Sequence, residues 1–284
     1  MNNFAESEIL RDPANDLTAK VYLKEYSNPY MLTPHLHTEY EIYYHIGGGK
    51  GFFIDDAYYS CKPHDLFIIR RMRVHRITVK DPENYLRCVI NIGAPLIERI
   101  CSLTDDPTNL DFLDKAGDTL PIKVNLGREN HEKLLMHIKE YLRLEQANDS
   151  LMLTAKLLEI LAFIKFIFTE NESATVEEAS PETWSEKAVY FIERNFKTCQ
   201  AADVAKALSI NENYLSRIFK SETGTQLNTY IIERKIAEAK RLLYNGESVK
   251  NACAMSGFND CSNFIRTFKK FTGASPGHVK KLYK

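Results

Sequence analysis

The sequence predicts an α+β multidomain chain, in which an N-terminal β-barrel leads through a helical hairpin into an all-α C-terminal domain with two helix-turn-helix motifs. Three observations predict it. Short runs rich in Tyr, Phe, Ile and Val alternate with Gly, Pro and Asp between Ala19 and Asn91, apolar spacing turns helical after Pro95, and a segment beginning at Val204 recurs from Ala252. Aromatic and β-branched residues suit a pleated, half-buried surface, whereas apolar recurrence at i, i+3 and i+4 marks a helix face.

The strand-like runs are AKVYLKEY, EYEIYYHI, GKGFFID, YYSC, DLFIIRR, HRITV and YLRCVINI. Seven short strands at close spacing suggest a barrel or a sandwich. Residues 47–50, GGGK, lack the GxxxxGK[ST] spacing of a phosphate loop and are expected to form a hairpin turn. Between Glu129 and Gln146, Leu134, Leu135, Ile138, Tyr141 and Leu142 lie at helical spacing. Asp149 or Ser150 is expected to cap a second helix, Leu151 to Thr169, packed antiparallel to the first. Lys156, Glu159 and Lys165 make that apolar stretch a soluble helix rather than a membrane span.

An acidic, weakly apolar stretch containing Pro181 reads as a linker. The expected division is a sensor domain at 1–128, a helical hairpin at 129–170, a linker at 171–183 and a helical domain at 184–284.

Charge is divided along the same line. Residues 181–284 carry 17 Lys and Arg against 10 Asp and Glu, while residues 1–180 carry 20 against 28. A basic C-terminal part suits a polyanionic partner. The opening MNNFAESEILRD has acids and no apolar core, so no secretory leader is expected, and Cys61, Cys88, Cys101, Cys199, Cys253 and Cys261 lack CxxC spacing. Both features point to reduced thiols in the cytoplasm.

The repeated segment carries the functional reading. VAKALSINENYLSRIFKSETG, Val204 to Gly224, matches ACAMSGFNDCSNFIRTFKKFTG, Ala252 to Gly273, with one extra residue in the second turn. Leu215, Arg217, Phe219, Lys220, Thr223 and Gly224 align with Phe264, Arg266, Phe268, Lys269, Thr272 and Gly273. Each copy reads as a short helix, a tight turn and a second helix stopped at Thr-Gly. Leu215, Ile218 and Phe219 share one face, as do Phe264, Thr267, Phe268 and Phe271, and these faces should turn inward.

Asn213, Ser216 and Arg217 in the first copy, and Cys261, Ser262, Ile265 and Arg266 in the second, then face outward as candidate base readers. Arg can grip guanine O6 and N7, Asn can pair with adenine, and Ile can meet a thymine methyl. Lys220, Lys269 and Lys270 lie later in their helices and are candidates for phosphate contact. Leu227 to Tyr244 separates the copies as an amphipathic helix of about 27 Å, commensurate with successive major grooves about 34 Å apart.

With its succession RKIAEAKRLL, SGFND and FIRTFKKFTGASP, the C-terminal part resembles the AraC/XylS family of transcription regulators. Cys253, Asn263 and Ser209 stand where that family more often has Ala, Tyr and Gly. The resemblance implies a sequence-specific regulator, usually an activator, dimerising through the helical hairpin. Its implied partners are promoter double-stranded DNA, RNA polymerase, a second copy of the chain and a small-molecule effector such as a sugar or metabolite. No membrane partner is expected.

In PHLHTEYEIYY, His35, His37 and Glu41 fall on one side of an extended strand, and His75 in RMRVH can join them. This arrangement is similar to the metal-binding pattern of cupin barrels, which makes the sensor cupin-like. Three readings of the cluster stay open: a divalent metal on His35, His37, Glu41 and His75; an effector pocket formed by those residues with Tyr43; or a structural polar cluster. The expectation is an effector pocket with no resident cofactor. An oxygenase or isomerase on this scaffold would need an acid, base or nucleophile that the sequence does not supply, so no enzyme is expected. Arg70, Arg71, Arg73 and Arg76 are expected in a solvated loop rather than in an anion site.

Overall fold

The computed structural model describes residues 19–25, 33–79, 81, 83–104, 106–147 and 150–282. The opening stretch read for a leader, and Asp149 as a helix cap, lie outside them. All seven expected strands form: β1 Ala19–Glu25, β2 Tyr40–Gly47, β3 Gly49–Ile54, β4 Ala57–Ser60, β5 Asp65–Ile69, β6 His75–Val79 and β7 Leu86–Ile92. An eighth, β8 Lys123–Asn125, pairs with β5. Only Val124 of its three residues is buried, too short a pattern to read from sequence.

Among the described residues the strands form two sheets, β1-β7-β2-β5-β8 and β4-β3-β6, so the expected barrel is not closed by a continuous ladder. The sheets enclose a core of Tyr43, Phe52, Phe67, Ile69, Ile77 and Tyr85. Bulky rings on both inner faces hold the sheets apart, and an isolated bridge between His35 and His75 joins the segment before β2 to β6. The GGGK segment is not the expected hairpin turn: it is a bend at Gly48 that carries the chain from β2 in one sheet to β3 in the other, and the two strands pair with different neighbours. Gly48 adopts φ +77°, and a Cβ there would lie 2.4 Å from Tyr85 Cα, so glycine is required.

Residues of β2 and β5 alternate between two cores. Ile42, Tyr44, Leu66 and Ile68 face away from the sheet interior and share a second core with the helical hairpin. That hairpin is built of α3, Gly127–Ala147, and α4, Ser150–Glu170, preceded by α1, Ala94–Leu103, and α2, Phe112–Lys115. Leu134, Ile138 and Tyr141 of α3 and Leu157, Ile160, Leu161, Ile164, Ile167 and Phe168 of α4 are buried there. Each such Leu or Ile contributes roughly 1.5–3 kcal/mol by leaving water. The boundary drawn after residue 128 therefore falls inside α3, which shares its core with the sheet.

Residues 174–182 form no regular element, as a linker should, yet they are strapped to the sensor sheet. Ala179 N–H donates to Tyr58 O at 2.7 Å, and Val176 packs on the inter-sheet core. Thr183 then caps α5, Trp184–Asn195, through a capping box with Glu186. The rest is helical: α6 Ala201–Ala207, α7 Glu212–Thr223, α8 Leu227–Tyr244, α9 Val249–Met255, α10 Cys261–Thr272 and α11 Pro276–Leu282.

Helix α8 serves two cores. Its first half gives Leu227, Tyr230 and Ile231 to the core of α5 to α7, and its second gives Ile236, Ala239, Leu242 and Leu243 to the core of α9 to α11. It is also the seat of the sensor. Phe53 and Tyr58 reach into the first helical core, while Leu36, Met72 and Val74 pack with Ala237. No helix among the described residues is long and apolar enough to cross a membrane.

Candidate DNA-reading helices and sensor cluster

The two repeat units are built alike down to their caps. Asn211 accepts from Asn213 N–H and Tyr214 N–H to start α7, and Asp260 accepts from Asn263 N–H to start α10. At the other ends Thr223 and Thr272 donate to Phe219 O at 2.6 Å and Phe268 O at 2.8 Å. Gly224 and Gly273 then turn left-handed at φ 71° and 78°. Leu215, Phe219, Phe264 and Phe268 are fully buried, which fixes the opposite faces toward solvent.

On those faces Asn213, Arg217, Cys261, Ser262, Ile265 and Arg266 are exposed, and Ser216 is half-buried. Lys220, Lys269 and Lys270 are exposed toward the ends of the same helices. Sequence reasoning missed Tyr214, which is 42% exposed beneath the Arg217 guanidinium at 5.5 Å. Its position three residues before Arg217 was the available signal. Ser209, in place of the usual turn glycine, adopts φ +53°, and its counterpart Gly257 adopts +87°.

In the sensor, His35, His37, Glu41 and His75 come together, with one ligand atom from each lying within 4.8 Å of the others. His37 Nε2 is 3.0 Å and His75 Nε2 3.6 Å from Glu41 Oε2. The imidazoles are held by their own segments. Nδ1 of His35 lies 3.1 Å from Thr33 O, that of His37 2.9 Å from Glu39 O, and that of His75 2.9 Å from Arg73 O. A carbonyl only accepts, so Nδ1 carries the proton in all three, and Nε2 remains for the cluster.

Burial, helped by the charge of His75, lowers His35 to about 3. Burial opposes charge on His37 as well, but the hydrogen bond and charge of Glu41 outweigh it and raise that imidazole. Glu41 is held well below the usual carboxylate range: burial works against its ionisation, and the neighbouring His75 and His37 overcome it. Tyr43 does not join the cluster. Its hydroxyl is 2.8 Å from that of Tyr85, and the Phe52 ring lies 4.8 Å from its own and 6.0 Å from that of His75. The inter-sheet interior at that point is filled by aromatic rings.

The arginine run is not a solvated loop. Arg73 pairs with Asp55 at 2.8 Å, Arg70 donates to Asp114 O at 2.9 Å, and Arg71 lies over the Tyr40 ring. Arg76 is 1% exposed and lies between the rings of Phe53 and Tyr230. Nothing in the residues around Arg76 signals this, because the surface that covers it is α8, some 150 residues away in the chain. A cleft of about 600 Å³ opens beside this contact, lined by Asp55, Arg71, Arg194, Arg234, Glu238 and Tyr244 among others.

Residues 204–282 match a family model described as a helix-turn-helix domain, and residues 21–161 match one described as an AraC-like ligand binding domain. The chain is 30% identical over 96 residues to the raffinose operon transcriptional regulatory protein of Pediococcus pentosaceus, covering 33% of this chain and 35% of that protein. It is 31% identical over 94 residues to the melibiose operon regulatory protein of Escherichia coli K12, covering 32% and 31%. It thus spans about a third of the length of these relatives. The crystal structure of ToxT from Vibrio cholerae O395 aligns over 94% of this chain and 98% of that one, at 16% identity and a TM-score of 0.36.

Proposed function

Since the chain belongs to the AraC family, with an AraC-like ligand-binding domain followed by a helix-turn-helix domain, we propose that it is a cytoplasmic, sequence-specific transcription regulator, acting as an activator and controlled by a small molecule bound in its N-terminal domain. The observation that carries this reading is the pairing of α7 with α10. Two helices with matching caps and buried faces expose Arg217 and Arg266 at equivalent positions, on either side of the spacer α8. Exposed arginines on the second helix of such a unit are suited to reading guanine in the major groove.

The relatives' names refer to raffinose and melibiose operons, which makes a sugar or related metabolite the first effector class to screen. Promoter DNA, RNA polymerase and a second copy of the chain complete the proposed partners. The dimer reading draws on α4, where Met152, Ala155, Glu159, Ala162 and Phe166 follow a heptad seam that faces solvent. No catalytic role is proposed.

The test is genome-wide footprinting of the full chain beside its Arg217→Ala, Arg266→Ala double variant. Discrete sites occupied by the wild type and lost by the variant support promoter reading. Identical occupancy by both would overturn it and leave the repeated helices as a protein-binding module.

A further inference from the structure

Two of the six cysteines meet at the second reading helix. Cys61, Cys88, Cys101, Cys199 and Cys253 are buried, Cys261 is exposed, and all six thiols are free. Cys253 lies on α9, in the same core as Phe264 and Phe268 of α10. Its Sγ is 3.7 Å from Phe258 O in the turn. Cys261 is the first residue of α10, directly after the Asp260 cap. The two thiols lie within hydrogen-bonding distance of one another across that turn. A disulfide holds its sulfurs about 2.05 Å apart, so closing the pair asks for a short inward movement of the helix start.

The two sulfurs divide the chemistry. An exposed thiol meets an oxidant from solution, whereas a buried one is shielded from it. Burial, with the hydrogen bond and charge of Cys261 and the charge of Asp260 behind it, pushes the Cys253 thiol up to about 12, so Cys253 rests protonated. The first unit has no such pair, since Ala205 and Glu212 stand at the equivalent places. Closure therefore acts on one reading helix and spares the other.

We propose that Cys261 and Cys253 are a peroxide-sensitive thiol pair, and that their closure to a disulfide displaces the start of α10 and withdraws the second reading helix from DNA. The Cys261 sulfur attacks one oxygen of hydrogen peroxide. The S–O bond forms, the O–O bond breaks, and the departing hydroxide takes the thiol proton as water. The Cys253 sulfur then attacks the sulfenic sulfur of Cys261. The S–S bond forms, the S–O bond breaks, and the Cys253 proton leaves with the hydroxyl as a second water. Both sulfurs are oxidised at the expense of one peroxide, reduced to water. In the disulfide Cys261 turns from the reading face toward α9, Cys253 gives up Phe258 O, and Ser262, Ile265 and Arg266 move with the helix start. The N-terminal residues of a reading helix are those that meet base edges, so a shift there is felt at the bound site. The thiol chemistry and the displacement stand apart from the promoter reading; only the loss of DNA binding rests on it.

The test uses the full chain, reduced with dithiothreitol, freed of it and exposed to hydrogen peroxide. The tryptic peptide 251–266 holds both cysteines and is expected to lose two hydrogens and escape alkylation. Hydrogen exchange should change in residues 258–266 and stay as it was in α7. Affinity for a site selected by the reduced chain should fall by about tenfold, the worth of one good base contact, and dithiothreitol should restore it. Cys253→Ala, which reproduces Ala205 of the first unit, should bind as the wild type does when reduced and form no disulfide. In that variant peroxide should carry Cys261 on to the sulfinic acid, which dithiothreitol does not reverse.

A wild-type peptide left unoxidised, carrying sulfinic acid at Cys261, or linked to a second chain, with no internal disulfide, overturns the pair. A disulfide that leaves exchange in α10 unchanged overturns the displacement, and one that leaves the affinity unchanged overturns the withdrawal from DNA. Should Cys253→Ala fail to fold, the internal disulfide of the wild type and its reversal still decide. A disulfide and altered exchange in a chain that binds no discrete DNA sites, reduced or oxidised, would count against the promoter reading alone.

Discussion

The guanidinium of Arg76 on β6 lies 4.9 Å from the ring centroid of Tyr230 on α8, joining the sensor sheet to the helix that separates the two reading units. Arg76 is nearly inaccessible, and its charge also acts on Glu193 and Glu233 across the contact. Arg76→Met keeps the stem and removes the charge. Glu193 keeps its ion pair with Arg234, but Glu233 loses the cation that offsets its burial, and a buried charge left uncompensated costs about 3–5 kcal/mol. Urea unfolding should show that loss, and a change under about 1 kcal/mol would mean that solvent already relieves the contact.

Glu233 makes the same contact pH-dependent. Burial lifts it from 4.5 to about 7 against the pull of Arg76, and its Oε2 has no hydrogen-bond partner among the described residues. An acid raised in the folded state stabilises the fold below its unfolded pKa and loses that contribution as pH rises through the folded value. The wild type should therefore weaken, relative to Glu233→Gln, between about pH 4.5 and 7, by an amount on the order of 3 kcal/mol. Unfolding free energies of both proteins across that range give the difference, and a flat difference would place Glu233 in effective contact with water.

These two residues mark the limit of what could be read from the sequence. Period-two runs rich in Tyr and Ile gave the seven strands because each strand's faces meet different cores, as Tyr43 and Ile42 do. The repeat gave both reading helices because Leu215 and Phe264 mark their inner faces directly. His35, His37, Glu41 and His75 could be grouped from strand alternation, but the carbonyls that hold each Nδ1, on Thr33, Glu39 and Arg73, lie in irregular backbone outside the strands that residue types do not specify. Arg76 was misread because burial by a distant helix leaves no trace in its own neighbourhood, and Tyr43 because the ring that separates it from the cluster comes from another strand.

On the reading faces, Arg266 is exposed on α10 beside Ile265. Replacing it with Ala should cost about 1–3 kcal/mol at a preferred site and relax base choice at the position it reads. Competition binding over a randomised operator measures both effects. Unchanged affinity together with unchanged preference would reassign the outward face of α10.

Lys269 lies in the last turn of α10, one turn beyond Arg266, and is exposed. As a phosphate contact it should contribute to all sequences alike. Lys269→Ala should weaken specific and non-specific binding together and lower the slope of log K against log salt by about 1. A loss confined to the preferred site, with the slope intact, would turn Lys269 into a base reader.

The two turns make the last prediction, because they hold equivalent places with different tolerances. Gly257 and Ser209 both adopt positive φ, 87° and 53°. A Cβ on Gly257 would lie 2.2 Å from Lys197 O, a backbone atom that cannot swing aside, whereas Ser209 already carries a side chain at its turn. Gly257→Ala adds left-handed strain of about 1–2 kcal/mol to that collision, so a loss above about 2 kcal/mol is expected. Ser209→Gly relieves similar strain but adds the entropy of a free glycine, leaving a net change within about 1 kcal/mol. Paired urea unfolding curves separate the cases. Because the turn sets the start of α10, Gly257→Ala should also weaken DNA binding at temperatures where the chain is still folded. Equal stability of the two variants would show that the Lys197 backbone yields, and that the turn does not fix the pose of the second reading helix.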